Sequence, residues 1–131
     1  MRSFLKSWSP CLLSVLRMVS ALLFVEHGSS KLLDFPHDAM AHSVTLHSLA
    51  GLSGMLELVG GLLLLVGLFT RFTAFILSGE MAVAYFMAHA PHGLYPLLNK
   101  GELAVLYCFV FLFLVFAGPG PLSLDRLRHR D

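Results

Sequence analysis

Four ionisable residues, Arg17, Glu57, Glu80 and Glu102, interrupt apolar runs of the chain. An ionised side chain at membrane depth is costly, so it faces a partner or a water-filled cavity. Counted from the more basic ends of the apolar segments at about 1.5 Å per residue, Arg17 and Glu80 both come at about 12 Å and Glu57 at roughly 18 Å. Equal depth pairs Arg17 with Glu80, either as a buried bridge that sets helix register or as a relay for protons that includes Glu57. Glu57 has no basic residue at its own depth. It reads as a protonated acid, acting as a hydrogen-bond donor or in proton transfer.

A second group lies at the other end. Glu26, His27, His89 and Glu102 come at about 24–27 Å, with Lys31 just beyond. Six of the seven histidines (His27, His37, His42, His47, His89 and His92) fall on this side. His27, Lys31, His89 and Glu102 form a candidate site for a quinone headgroup, held by hydrogen bonds to its carbonyls. His27 and His89 are alternatively candidate ligands for zinc, copper or iron, although no H-E-x-x-H or other regular ligand spacing accompanies them. The other histidines read as solvated loop and helix-end residues. Haem b needs two histidines facing each other across a bundle, and only His27 and His89 offer that, close to the surface, so haem is not expected. No nucleophile motif supports Ser-His-Asp chemistry. Cys11 and Cys108 are predicted to sit far apart and to act as small packing residues, which counts against a thiol oxidase.

The elements that position these groups follow from hydropathy. Hydrophobic residues make up 56% and charged residues 13% of the chain, and mean hydropathy is +0.77. Apolar stretches near the ~20 residues of a spanning helix occur at roughly 9–31, 44–69, 72–89 and 101–117. They predict an all-α integral membrane four-helix bundle that uses residues 1–131 as one domain. Arg2 and Lys6 followed by an apolar run resemble a signal peptide, but Arg17 interrupts the run and no small-residue cleavage site follows, so an uncleaved first helix is expected. Arg2, Lys6, Arg71, Arg126, Arg128 and Arg130 fall on one side against Lys31 and Lys100 on the other, which places both termini in the cytoplasm. A net charge of +1 argues against nucleic acid as a partner.

Turn residues punctuate the segments. Phe35-Pro36-His37-Asp38 opens a first outer loop, and residues 67–71 make a tight inner turn. Ala90-Pro91-His92-Gly93 with Pro96, Asn99 and Lys100 forms the second outer loop, and Gly118-Pro119-Gly120-Pro121 ends the last helix. Gly54, Glu57 and Gly61 share one stripe of the second helix at 100° per residue. Small residues allow close helix approach, so this stripe is expected to face the bundle and carry Glu57 inward. Trp8, Tyr85, Tyr95 and Tyr107 read as interfacial anchors and packing. Phe109, Phe111, Phe113 and Phe116 read as lipid-facing or core residues.

Taken in order, these residues resemble the DoxX family of small four-helix bacterial inner-membrane proteins. The resemblance runs through Arg17, His27-Gly28 and Lys31-Leu32, then Glu57-Leu58-Val59-Gly60-Gly61 and Gly67-Leu68-Phe69-Thr70-Arg71. It continues through Glu80-Met81-Ala82-Val83-Ala84, His89, Pro96, Asn99 and Gly101-Glu102, and ends with Gly118-Pro119-Gly120 and Ser123-Leu124-Asp125. It implies an inner-membrane protein tied to redox metabolism, related to the DoxD subunit of a thiosulfate:quinone oxidoreductase. Fold is implied more firmly than reaction.

Three functions remain open. The first is a subunit of, or accessory to, an oxidoreductase that passes electrons to quinone. Quinone would meet His27, Lys31, His89 and Glu102, while Arg17, Glu57, Glu80 and Glu102 form a buried polar relay. The second is a non-catalytic anchor or scaffold for a cytoplasmic redox partner, using the basic tail of Arg126, Arg128 and Arg130. The third is a proton-coupled transporter subunit, which would need to oligomerise because no internal repeat is present. Beyond quinone, no cofactor is suggested. The expected partners are the lipid bilayer, a redox protein and a second copy of the chain.

Overall fold

A computed structural model describes residues 1–37 and 44–129 of the 131-residue chain, leaving aside the Arg2 side chain. The expectations for Asp38, His42 and Arg130 fall outside the described residues. Helix α1 (Arg2–Leu33) begins well before the expected position 9 and carries Pro10 inside it. Helix α2 (Leu49–Val66) starts five residues later than expected, because the Ser48 hydroxyl accepts the Gly51 N–H at 3.1 Å and caps the helix there. It stops at Gly67, whose φ of 70° is left-handed and lets the Leu68 N–H reach the Leu63 carbonyl at 2.9 Å. This is the tight turn expected at 67–71.

Helix α3 (Thr70–Ala84) continues into a π-helical turn, Tyr85–His89, and a 3₁₀ turn, Ala90–His92. The second outer loop contains a short helix, α4 (Pro96–Asn99), before helix α5 (Glu102–Ala117). The tail also holds a five-residue helix, α6 (Leu124–Arg128), N-capped by the Ser123 hydroxyl. No strand occurs among the described residues. Among the described residues, three stretches are long and apolar enough to cross a membrane: Ser3–Leu33, Leu49–Val66 and Thr70–His92. Helix α5 is equally apolar but has 16 residues, about 24 Å against a hydrocarbon core of about 30 Å.

Helices α1 and α2 form one antiparallel pair and α3 and α5 another. Glycines make the first pair close. A Cβ on Gly28 would lie 2.5 Å from the Leu58 nitrogen and 2.8 Å from the Gly54 oxygen. Those are backbone atoms and cannot step aside. Gly28→Ala is therefore expected to pry α1 from α2 and cost ~1–3 kcal/mol, read as a lower midpoint in denaturant-titrated unfolding. Gly54, Glu57 and Gly61 are all buried, as the stripe predicted. Between the pairs sits a core of Phe24, Leu77, Tyr107, Phe111 and Leu114. Phe24 meets Phe111 edge-on at 4.9 Å. Phe109, Phe113 and Phe116 face outward, where lipid solvates them.

One end of the bundle is closed by polar interlocks. Arg17, 0% exposed, donates from Nε to the Pro119 carbonyl at 2.9 Å, from Nη1 to the Leu64 and Leu65 carbonyls, and from Nη2 to the Leu122 carbonyl. The Ser14 hydroxyl accepts the Leu122 N–H at 3.1 Å. Asp125 folds back on the α2–α3 turn, and each carboxylate oxygen accepts one N–H, from Phe69 and from Thr70, at 2.8 Å. Phe69 has a left-handed φ of 51°, costly for a residue with a Cβ, and these bonds hold it there.

Burial alone would raise the Asp125 pKa, but the N–H groups of Thr70 and Phe69 and the nearby Arg128 outweigh it and hold it below the ordinary carboxylate value. A carboxyl whose folded pKa is depressed stabilises the fold fully above its unfolded pKa of about 3.9 and loses that effect as pH falls through the lower folded value. Asp125→Ala is expected to cost ~1 kcal/mol at neutral pH. It should also narrow the gap between the stability measured at neutral pH and below pH of about 4, the window in which this carboxylate is titrated.

Candidate functional site

The opposite end of the bundle is open. A cavity of about 680 Å³ lies between the α1–α2 pair and the α3–α5 pair, within the usual range for small-molecule sites of ≈ 300–1,000 Å³. Its wall is mostly apolar, with Phe24, Leu56, Met81 and Ala104 among its lining residues. Leu52, Ile76, Val83 and Met87 also line it and are exposed on the outer surface of the helices. The cavity thus opens sideways, toward the zone that lipid occupies.

Its polar groups are Lys31, Ser53, Glu57, Glu80, His27, His89, Tyr107 and, at the rim, Lys100. Lys31 Nζ donates to Glu57 Oε1 at 2.7 Å and to Ser53 Oγ at 3.1 Å. Glu57 is 3% exposed, and its Oε2 has no hydrogen-bond partner. Both carboxyl oxygens of Glu80 are buried and equally unpartnered. His27 Nδ1 meets the Leu23 carbonyl at 2.8 Å, and His89 Nδ1 meets the Asn99 carbonyl at 3.1 Å. A carbonyl only accepts, so each Nδ1 carries the hydrogen, and in the neutral ring Nε2 is left as an acceptor.

Several sequence expectations are corrected here. Arg17 and Glu80 do not pair: Arg17 is held at the closed end by four carbonyls, while Glu80 lines the cavity. Equal depth along two helices did not mean facing sides. Glu57 does have a cation, because the long Lys31 side chain runs down the groove beside Gly54 and reaches it from a higher turn. The two polar layers are therefore one site on this side, with Arg17 outside it. Glu102 is exposed at the start of α5 and does not line the cavity, and Glu26 is exposed as well. His27 and His89 both line it, yet no three His, Cys, Asp or Glu side chains among the described residues come together as a metal site. His37 pairs instead with Asp34 at 2.8 Å, on the surface. Cys11 and Cys108 are both free thiols.

The sequence profile of the DoxX family matches residues 12–90. The chain belongs to the DoxX family. A Haemophilus influenzae relative, described as an uncharacterized protein, is 44% identical over 130 residues, covering 92% of this chain and 93% of its own length. A second uncharacterized protein of the same organism is 33% identical over 93 residues, covering 71% of this chain and 59% of its own. No solved structure matches. Within this DoxX protein, the profile covers α1 from Leu12 onward, all of α2 and α3, and so Lys31, Glu57, Glu80 and both cavity histidines except their α5 neighbours.

Sequence reasoning missed Ser53, Tyr107 and Lys100 as lining residues. Ser53 had a signal, since it stands one helical turn before Glu57 on the same face. Tyr107 had none, because α5 is apolar all round and its inward face is not marked by contrast.

Proposed function

We propose that this DoxX protein is a multi-pass protein of the bacterial inner membrane and a subunit of, or accessory to, an oxidoreductase that passes electrons to quinone, with a thiosulfate-linked donor as one form of that role. The observation that carries this reading is the cavity: apolar, open toward lipid, and ending in Lys31, Glu57, Glu80, His27 and His89. A lipophilic ring with a polar edge fits such a site. Lys31 would donate to a ring oxygen, the histidines would accept from the ring's hydroxyls once it is reduced, and Glu57 and Glu80 would hold or release protons beside it. Quinone, when bound, supplies the two-electron chemistry. Arg17 takes no part in the proposed relay because the closed end separates it from the cavity, and Glu102 stands outside it.

The topology of the proposal has both termini in the cytoplasm and α5 as a fourth crossing, in a single domain of residues 1–131. It is supported by the Lys and Arg distribution and by the gathering of Arg71, Arg126 and Arg128 at the closed end. The test is to purify the protein in mild detergent and extract quinone with solvent. Near-stoichiometric quinone is expected from the wild type. A several-fold loss is expected from Ala84→Trp, which fills the cavity, and from His27→Ala, with Glu102→Gln unchanged. A well-folded protein that carries no quinone under any condition would sink the reading.

A second reading has its own support. Asp125 and Arg17 fix the segment that ends in α6, leaving Arg126 and Arg128 exposed on a rigid element. In that reading the protein anchors a soluble redox partner. Replacing both arginines by alanine would then release the partner from membranes.

A further inference from the structure

The unengaged polar atoms of the cavity are unequal in kind. On the acceptor side are the buried Glu57 Oε2 and Glu80 Oε1 and Oε2, together with the Nε2 atoms of the exposed His27 and the half-buried His89. On the donor side, Lys31 has one N–H left after Glu57 and Ser53 take two, the Ser53 hydroxyl is directed to Glu57 Oε1 at 3.4 Å, Tyr107 has its hydroxyl, and Lys100 stands exposed at the rim. Two carboxyl groups face one ammonium, so the interior also has room for one added proton. A proton placed on the Glu57–Glu80 pair supplies one more donor, yet the remaining oxygens and ring nitrogens still accept.

A buried acceptor left unmade costs ~1–3 kcal/mol, and a charged one costs more. The ligand that relieves this cost must bring O–H or N–H groups. An oxidised quinone brings only carbonyl acceptors. Its reduced form brings two hydroxyl donors on the same ring. The side opening past Leu52, Ile76, Val83 and Met87 suits an apolar tail on either form, so the ring's polar edge decides between them.

We infer that the cavity binds the hydroquinone form of its lipophilic ligand in preference to the oxidised quinone, because its buried unpartnered side-chain atoms are the carboxyl oxygens of Glu57 and Glu80. The inference rests on the quinone-linked reading above and adds a direction to it. A site that holds the reduced form more tightly favours reduction of the ligand bound in it. A tenfold preference corresponds to about 30 mV for a two-electron couple.

The test uses the full-length protein in mild detergent under anaerobic conditions, with a short-tail benzoquinol and its oxidised benzoquinone as probes. Dissociation constants are measured for both. The quinol is expected to bind at least tenfold more tightly. Glu80→Gln replaces an acceptor oxygen with a donating amide, so it is expected to erase or reverse the preference. Glu57→Gln is the second variant; Glu80→Gln is checked for an unchanged unfolding midpoint, and both variants for monodisperse elution. Equal or tighter binding of the quinone by the wild type overturns the inference and leaves the quinone-linked reading standing. Binding of neither form overturns both. A preference for quinol that Glu80→Gln and Glu57→Gln leave unchanged overturns the assignment to these carboxyl groups.

Discussion

Arg17→Met is expected to destabilise the protein by ~3–5 kcal/mol, because it takes the charged donor away from several main-chain carbonyls at once. Methionine matches the arginine stem in apolar bulk, so the loss is that of the guanidinium. Its N–H groups serve the Leu64 and Leu65 carbonyls of the last turn of α2, the first of which also accepts the Gly67 N–H at 3.1 Å, and the Pro119 and Leu122 carbonyls of the connection to α6. Each hydrogen bond to a charged donor contributes ~1.5–3 kcal/mol, and its loss counts most at the Leu65 and Pro119 carbonyls, since Leu64 keeps the Gly67 N–H and Leu122 lies on an exposed residue. Arg17→Lys is expected to recover less than half of the loss, because a compact ammonium cannot span carbonyls on two segments as the planar fork does. Unfolding titrated with a denaturing detergent in mixed micelles measures the first effect. Limited proteolysis near residues 118–123 measures release of the C-terminal segment. A wild-type midpoint in Arg17→Met would show that the closed end is held by packing instead.

Lys31→Met carries the second large effect. It strands Glu57, a side chain 4% exposed that otherwise has the Lys31 ammonium at 2.7 Å. Breaking a buried pair on one side costs ~3–5 kcal/mol, and the lower end applies here because Lys31 is partly open to the cavity mouth. The double variant Lys31→Met with Glu57→Leu is expected to regain most of that loss, since a well-packed apolar pair replaces two charges. The four midpoints form a double-mutant cycle, and a coupling of ~2 kcal/mol or more is expected. Additive losses would mean that the two side chains act separately. The regained stability should come without regained ligand binding, because the polar end of the cavity is gone. Stability and site function are therefore separable at this pair.

Much of this molecule is determined by local sequence. Hydropathy decides that the chain is helical and membrane-embedded, because apolar runs of this length leave no other way to satisfy backbone hydrogen bonds in lipid. Gly67 ends α2 wherever α2 packs, since its left-handed φ is a local property. The stripe of Gly54, Glu57 and Gly61 marks the buried face of α2 through the 3.6-residue repeat alone. The polar residues inside apolar runs also declare themselves by cost, so His27, Lys31, Glu57, Glu80 and His89 are legible as candidates.

Their partners are not legible. Depth is a one-dimensional coordinate, and it assigned Glu80 to Arg17 because both sit at one height. Pairing also depends on the rotation of each helix and on the reach of each side chain. Rotation is set by close approach of α1 to α2 at Gly28 and Gly54, which turns Lys31 toward Glu57. Arg17 is turned toward carbonyls contributed by a segment about a hundred residues away, an attraction that hydropathy and charge counting do not register. The division into a closed end and a lipid-open cavity was decided only in three dimensions, by how two helix pairs meet. The sequence by itself determined which residues had to be dealt with; the packing decided which of them face one another.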